Sequence, residues 1–251
     1  MVLLQTVRDS NKIQNIPAIS NSPIVDVIIP AFNEENAVDK VIREIPRDLV
    51  REIIVCNNGS TDKTPEVARA EGATVLDEPQ KGYGHACLKG IEHLKNKPAA
   101  EQPDIVVFLD ADYSDYPEEM RLLVEQITDH NMDLVIGSRA LGKLEKGSMT
   151  PQQLFGNWLA TALIRFFYNI EFTDLGPFRA VRYDKLIEMD MQDQTYGWTV
   201  EMQVKAAKMK YNCTEVAVNY RKRIGFSKVS GTIKGTIGAG HKILWTIFKL
   251  L

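Results

Sequence analysis

Apolar residues in this chain fall into short runs that alternate with segments of helical spacing. After an unpatterned polar stretch over 1–22, Ile24–Ile29 forms a β-branched run stopped by Pro30. Glu35–Ile45 then places Val38, Val41, Ile42 and Ile45 on one helical face. Glu52–Cys56 is a second apolar run, closed by the turn-forming Asn57-Asn58-Gly59-Ser60. Asp62–Glu71 reads as a short helix, Ala73–Leu76 as a strand, Tyr83–Lys95 as a helix and Asp104–Leu109 as the most apolar strand. Pro117–Thr128 and Asp133–Gly137 add a further helix and strand. Near-continuous apolar strands with helices between them predict an α/β fold, Rossmann-like, whose mostly parallel central sheet is flanked by helices.

Beyond Gly137 the rhythm breaks. Thr150-Pro151 has the N-cap and first-turn chemistry of a helix reaching about Asn169, with Leu154, Trp158, Ala162 and Phe166 on an apolar face. Phe178–Val181 and Thr214–Asn219 predict strands, and Gly197–Met209 a helix. Thr232–Leu251 reads as a C-terminal amphipathic helix. Lys234, Lys242 and Lys249 fall on one side, and Ile237, Ile243, Leu244, Ile247, Phe248 and Leu251 on the other, with Trp245 beside the cations. The expected organisation is an extension over 1–22, one domain over 23–230 and the amphipathic helix over 231–251.

Composition narrows the setting. A chain of 251 residues, 44% hydrophobic, suffices for one large core. Cys56, Cys87 and Cys213 lack metal-type spacing and read as packed thiols in a reducing, cytoplasmic setting. No window approaches the roughly 18–20 apolar residues of a spanning helix. Net charge is -3 but uneven: Met202–Leu251 holds ten lysines and arginines against one acid, Glu215. Such a basic segment suits anions, including lipid head groups. No aromatic-interleaved platform accompanies it, so nucleic acid is not an expected partner.

Ligands of open α/β sheets sit at the carboxyl ends of the strands. The residues there are Pro30-Ala31-Phe32-Asn33-Glu34, then Asn57–Asp62, then Asp110-Ala111-Asp112. Two carboxylates at the end of an apolar strand repel one another and call for a cation. Mg²⁺ or Mn²⁺ suits them, since it takes one or two carboxylates and completes its shell with water and phosphate. Lys81-Gly82-Tyr83-Gly84 lets backbone approach a ligand and offers Lys81 to phosphate. Its spacing is not that of a P-loop or a dinucleotide fingerprint.

The ordered set Pro30–Glu34, Asn57–Asp62, Lys81–Gly84, Asp110–Asp112 and Gly137-Ser138-Arg139 resembles the family 2 glycosyltransferases of GT-A-type fold. Within them it is most similar to the dolichyl/polyprenyl-phosphate sugar transferases. Thr173–Arg179 and Arg223–Lys228 extend the likeness over about 24–235. The resemblance implies a metal-dependent inverting transferase that moves sugar from a UDP-sugar or GDP-mannose to a polyprenyl-phosphate-like acceptor. Pro30, Phe32 and Glu34 would flank base and ribose, Asn57 and Asp62 would sit near the base, and Lys81 near the nucleotide. Asp110 would serve sugar, ribose or metal, and Asp112 the metal. Ser114 falls where relatives often place a Gln ligand. Arg139 would orient phosphate, and Arg223, Ser227 and Lys228 would hold the diphosphate and the acceptor phosphate.

Asn57-Asn58 stands where many relatives carry Asp-Asp. Amides both donate and accept, which suits a uracil edge and tilts the expectation toward UDP. Glu201 would act as base if the acceptor were a hydroxyl; a phosphate acceptor needs none. The expected setting is cytoplasmic, peripheral on the inner face of a membrane, with room for a homo-oligomer. Two rivals are a soluble family 2 transferase using Glu201 and a non-catalytic nucleotide-binding module.

Overall fold

The structure, a computed structural model, describes residues 23–225 and 233–251. The expected extension over 1–22, and with it Ser227 and Lys228, lies outside the described residues. So do the side chains of Lys234 and Ile237.

The first apolar run continues through Pro30: β1 spans Val25–Ala31 and all of it is buried. Proline is tolerated there because the pairing with the neighbouring strand at Ile105–Phe108 ends at Ile28 opposite Phe108. In chain order follow α1 (Val38–Glu44), β2 (Val50–Asn57), α2 (Thr64–Ala70), β3 (Thr74–Asp77), α3 (Tyr83–Lys95) and β4 (Ile105–Phe108). Then come α4 (Met120–His130), β5 (Leu134–Ser138), α5 (Pro151–Tyr168), β6 (Arg179–Arg182) and α6 (Tyr183–Met189). The chain closes with α7 (Trp198–Lys208), β7 (Cys213–Ala217) and α8 (Ile233–Lys249). Thr150 caps α5 as its sequence requires: its hydroxyl accepts the Gln153 N–H at 3.3 Å while the Gln153 side chain accepts the Thr150 N–H at 2.8 Å.

The seven strands form one sheet in the order β3-β2-β1-β4-β6-β5-β7. All neighbours are parallel except β6, which runs antiparallel to β4 and β5. Alternation along each strand feeds two cores. Ile28, Ile54 and Phe108 face a layer with Leu94, Ile164 and Trp198. Val27, Ile29 and Val107 face a layer with Val38, Ile42, Leu123 and Ile127. The mostly parallel, helix-flanked α/β sheet is the architecture that the hydrophobic pattern predicts. The strand at 178–181 was expected, but not its reversed direction, and α6 was not foreseen.

The two C-terminal amphipathic helices depart from ordinary core packing. On α5, Ala160, Thr161 and Ile164 are buried, whereas Trp158 and Phe166 are 61% and 78% exposed. On α8, Thr246 and Ile247 pack inward and Trp245 and Phe248 stay exposed, as does Leu251 beyond its end. Tyr168 donates its hydroxyl to the Ile247 carbonyl at 2.7 Å, and the Phe167 and Phe248 rings meet edge-on, 5.5 Å apart. The two helices therefore pack on one another and leave aromatic side chains exposed on each.

Candidate active site

The sheet register brings separate motifs together. Ala31 lies opposite Asn57, and Ile28 opposite Phe108. The segments after β1, β2 and β4 therefore leave the same edge of the sheet, as expected of strand tips. They line a cleft of about 330 Å³ together with the start of α3; its walls include Pro30, Phe32, Glu34, Asn58, Lys81, Tyr83, Asp110, Asp112, Tyr196 and Arg223.

Asp110 and Asp112 sit on its floor. The Tyr83 hydroxyl donates to Asp110 at 3.1 Å. Burial, and next the nearby Asp112, push the Asp110 carboxyl up to about 7. Asp112 accepts the Ser114 N–H at 2.9 Å and the Ser114 hydroxyl. It also meets the Arg223 guanidinium at 3.1 Å. Arg223 reaches the buried Glu34 as well, at 2.9 Å. Lys81 stands 5.0 Å over the Phe32 ring, which places a cation on an aromatic wall.

Hard oxygen donors at a strand tip fit Mg²⁺ or Mn²⁺. Among the described residues no group of three or more Asp, Glu, His or Cys could hold a metal. Asp115, also buried, has neither carboxylate oxygen hydrogen-bonded. Burial first, then Asp110 and Asp112, raise it well above the usual carboxylate range.

Other expected site residues stand apart from this cleft. The Asn57 side chain donates to Asp77 at 2.8 Å and accepts the Ser60 N–H at 3.0 Å. Asn58 does reach the cleft, but it donates to the Gln80 carbonyl at 2.7 Å and accepts the Gly82 N–H at 2.7 Å. The amides expected to read a uracil edge are thus engaged within the protein, where they hold the turn against the start of α3. Asp62 accepts the Thr64 N–H at 3.0 Å and the Glu35 N–H at 3.2 Å, a loop-closing role. Arg139 forms a double bond-pair with buried Asp174, 2.7 Å on each side, and lies over Tyr220.

Glu201 also does not line the cleft. Its carboxylate accepts the Gln192 and Asp193 N–H groups at 3.0 and 2.7 Å and pairs with Lys205 at 2.8 Å. It faces a separate cavity of about 370 Å³ beneath α8. The base role expected for it with a hydroxyl acceptor finds no geometric support.

Three groups were not singled out from sequence. Tyr83 was read only as a helix start, yet its hydroxyl anchors Asp110. Tyr196 lines the cleft from a loop that has no periodic signal. Asp174 lies in a recognised segment, but only the fold reveals Arg139 as its partner. Opposite Phe108 in the sheet, fully buried Arg179 donates to the Thr199 carbonyl at 3.0 Å, and burial lowers it to about 10.

The helix-flanked, mostly parallel sheet with its strand-tip cleft is the GT-A-type fold. The chain belongs to glycosyl transferase family 2, whose model matches residues 26–189. It is 34% identical over 215 residues to an uncharacterized glycosyltransferase of Mycobacterium tuberculosis, covering 85% of this chain and 93% of that one. A dolichyl-phosphate hexose transferase of Haloferax volcanii is 31% identical over 208 residues, covering 81% and 85%. An undecaprenyl-phosphate mannosyltransferase of Micrococcus luteus is 30% identical over 223 residues, covering 83% and 88%. Glucosyl-3-phosphoglycerate synthase from Mycobacterium tuberculosis, solved with Mn²⁺, UDP and phosphoglyceric acid, shares the fold at TM-score 0.69 and 22% identity, covering 91% of this chain and 78% of that one.

Proposed function

We propose that this glycosyltransferase moves a sugar from a nucleoside-diphosphate sugar to a polyprenyl-phosphate-like acceptor at a membrane surface, with Mg²⁺ or Mn²⁺. The observation that carries the reading is the cleft in which Asp110, Asp112, Arg223 and Lys81 converge beside the Phe32 wall. Names of relatives point the same way for the acceptor. The solved synthase was crystallised with Mn²⁺ and UDP, which supports the choice of donor and cation.

Phe32 and Glu34 lie where base and ribose would rest, and Pro30 completes that wall. Arg223 and Lys81 neutralise the diphosphate; Ser227 and Lys228, further along the same segment, are proposed to share that work. A cation held by Asp110 and Asp112 supplies, when bound, charge neutralisation for the departing diphosphate. The acceptor phosphate is ionised at neutral pH, so an oxygen of it attacks the anomeric carbon without a protein base. The bond to the diphosphate oxygen breaks, the nucleoside diphosphate leaves, and in-line geometry inverts the configuration. The ties of Glu201 to backbone agree with a reaction that needs no base there.

The exposed aromatic side chains of α5 and α8 support a membrane-surface acceptor. Phe155, Trp158, Phe166 and Trp245 are exposed, with Arg165, Lys242 and Lys249 nearby in sequence, as in interfacial helices. Among the described residues no helix is long and apolar enough to cross a membrane. Titration of UDP and of GDP into the protein, with and without Mn²⁺, tests the donor half. Metal-dependent binding of one of them is expected; equal binding with the metal chelated would contradict it.

A further inference from the structure

Lys242 of α8 pairs with Asp193 at 2.9 Å. Asp193 is already the organiser of its loop, accepting the Thr195 N–H at 2.8 Å and the Gly197 N–H at 3.1 Å. Glu201 grips the same loop from α7 through the Gln192 and Asp193 amides. Residues 192–197 are thus held by two carboxylates, one of them charge-paired to α8.

The loop is in turn fitted to the start of α3. The Gln194 carbonyl accepts the His85 N–H at 3.0 Å, and the Thr195 carbonyl accepts the Gly84 N–H at 3.2 Å. The approach is so close that a Cβ on Gly82 would lie 2.2 Å from the Gln194 oxygen, and one on Gly84 2.0 Å from the Asp193 oxygen. Here the glycines of Lys81-Gly82-Tyr83-Gly84 make room for protein backbone. Between them stands Tyr83, bonded to Asp110, and the loop itself sets Tyr196 in the cleft wall.

We propose that Lys242 and Asp193 are positioning residues of the donor cleft. Their ion pair seats α8 on the 192–197 loop, and the loop fixes Tyr83 and Tyr196, so donor affinity depends on a surface helix whose side chains do not touch the donor. This rests on the donor reading of the cleft. Three non-covalent links join the segments: the Lys242–Asp193 ion pair, the loop carbonyls on the Gly84 and His85 amides, and Tyr83 on Asp110; short stretches of backbone connect them.

The test uses the full chain and its variants Lys242→Met, Lys242→Arg and Asp193→Asn. Asp193→Asn keeps the shape of the side chain and an oxygen for the loop amides while removing its charge. Two quantities are read: the Kd for UDP and GDP with Mn²⁺, and the exchange rates of the Gly84 and His85 amide hydrogens. Networked neighbours couple strongly enough that Lys242→Met and Asp193→Asn are expected to weaken nucleotide binding about fivefold. The same variants should speed exchange at both amides. Lys242→Arg should restore both readouts, which a purely structural loss would not show. Wild-type affinity and wild-type exchange in Lys242→Met would overturn the proposal. Should the wild-type protein bind neither nucleotide, the donor reading fails, and the exchange rates alone decide whether α8 holds the loop.

Discussion

Helices α1 and α4 on one side and α5 on the other are similarly patterned but differently covered. On α1, Val38, Val41 and Ile42 are buried against the sheet, as are Leu123, Val124 and Ile127 on α4. On α5 the corresponding apolar stripe points away from the protein, with Trp158 at 61% and Phe166 at 78% exposure. The period of a helix reveals that it has an apolar side; only the fold reveals whether protein covers it. Helices α1 and α4 use their apolar faces to hold a rigid sheet whose tips build the cleft. Helices α5 and α8 instead leave aromatic side chains exposed.

The sharpest way to separate the two regions is to break each without the other. Asp112→Ala removes a carboxylate from the cleft floor and should reduce transfer about a thousandfold, read as kcat, with the melting temperature nearly unchanged. Loss of folding instead would make Asp112 a structural residue. On the other face, Trp158→Ser with Phe166→Ser should weaken partition onto anionic vesicles about thirtyfold, read by co-sedimentation. Nucleotide affinity should not change in that variant; undiminished vesicle binding would assign the face to a protein partner.

A smaller effect tests the buried scaffold. A Cβ on Gly90 of α3 would meet the Ile28 side chain at 2.7 Å. Gly90→Ala should therefore cost about 1–3 kcal/mol in urea unfolding, the usual range for overpacking. The smallest change in activity is expected at Glu201. Glu201→Gln should leave kcat within about twofold while lowering stability by about 1 kcal/mol, since it weakens bonds to the loop amides. Abolished turnover with normal stability would instead favour a hydroxyl acceptor and a catalytic base.

Much of the fold was legible because parallel, doubly covered strands leave near-continuous apolar runs. The strands and the α3 boundaries, Tyr83–Lys95, followed from that. What escaped was non-local. The reversal of β6 depends on pairing with strands more than forty residues away in sequence, and its own four residues carry no direction. At the site, Asp110, Asp112, Glu34 and Phe32 converge as strand tips should. Arg139, Asn57 and Asp62 look alike in sequence as polar loop residues, yet their partners (Asp174, Asp77 and Thr64) tie them to protein. Glu201 reads as a first-turn acid of α7, and the backbone amides it serves lie in a preceding loop without any regular pattern.

The central claim is sugar transfer to a lipid phosphate. Its most direct measurement is the mass of a short polyprenyl phosphate after incubation with the protein, Mn²⁺ and a panel of UDP- and GDP-sugars. The account predicts a lipid heavier by one sugar residue, with stoichiometric nucleoside diphosphate release that stops when the metal is chelated. An unmodified lipid alongside a glycosylated water-soluble hydroxyl acceptor would contradict it.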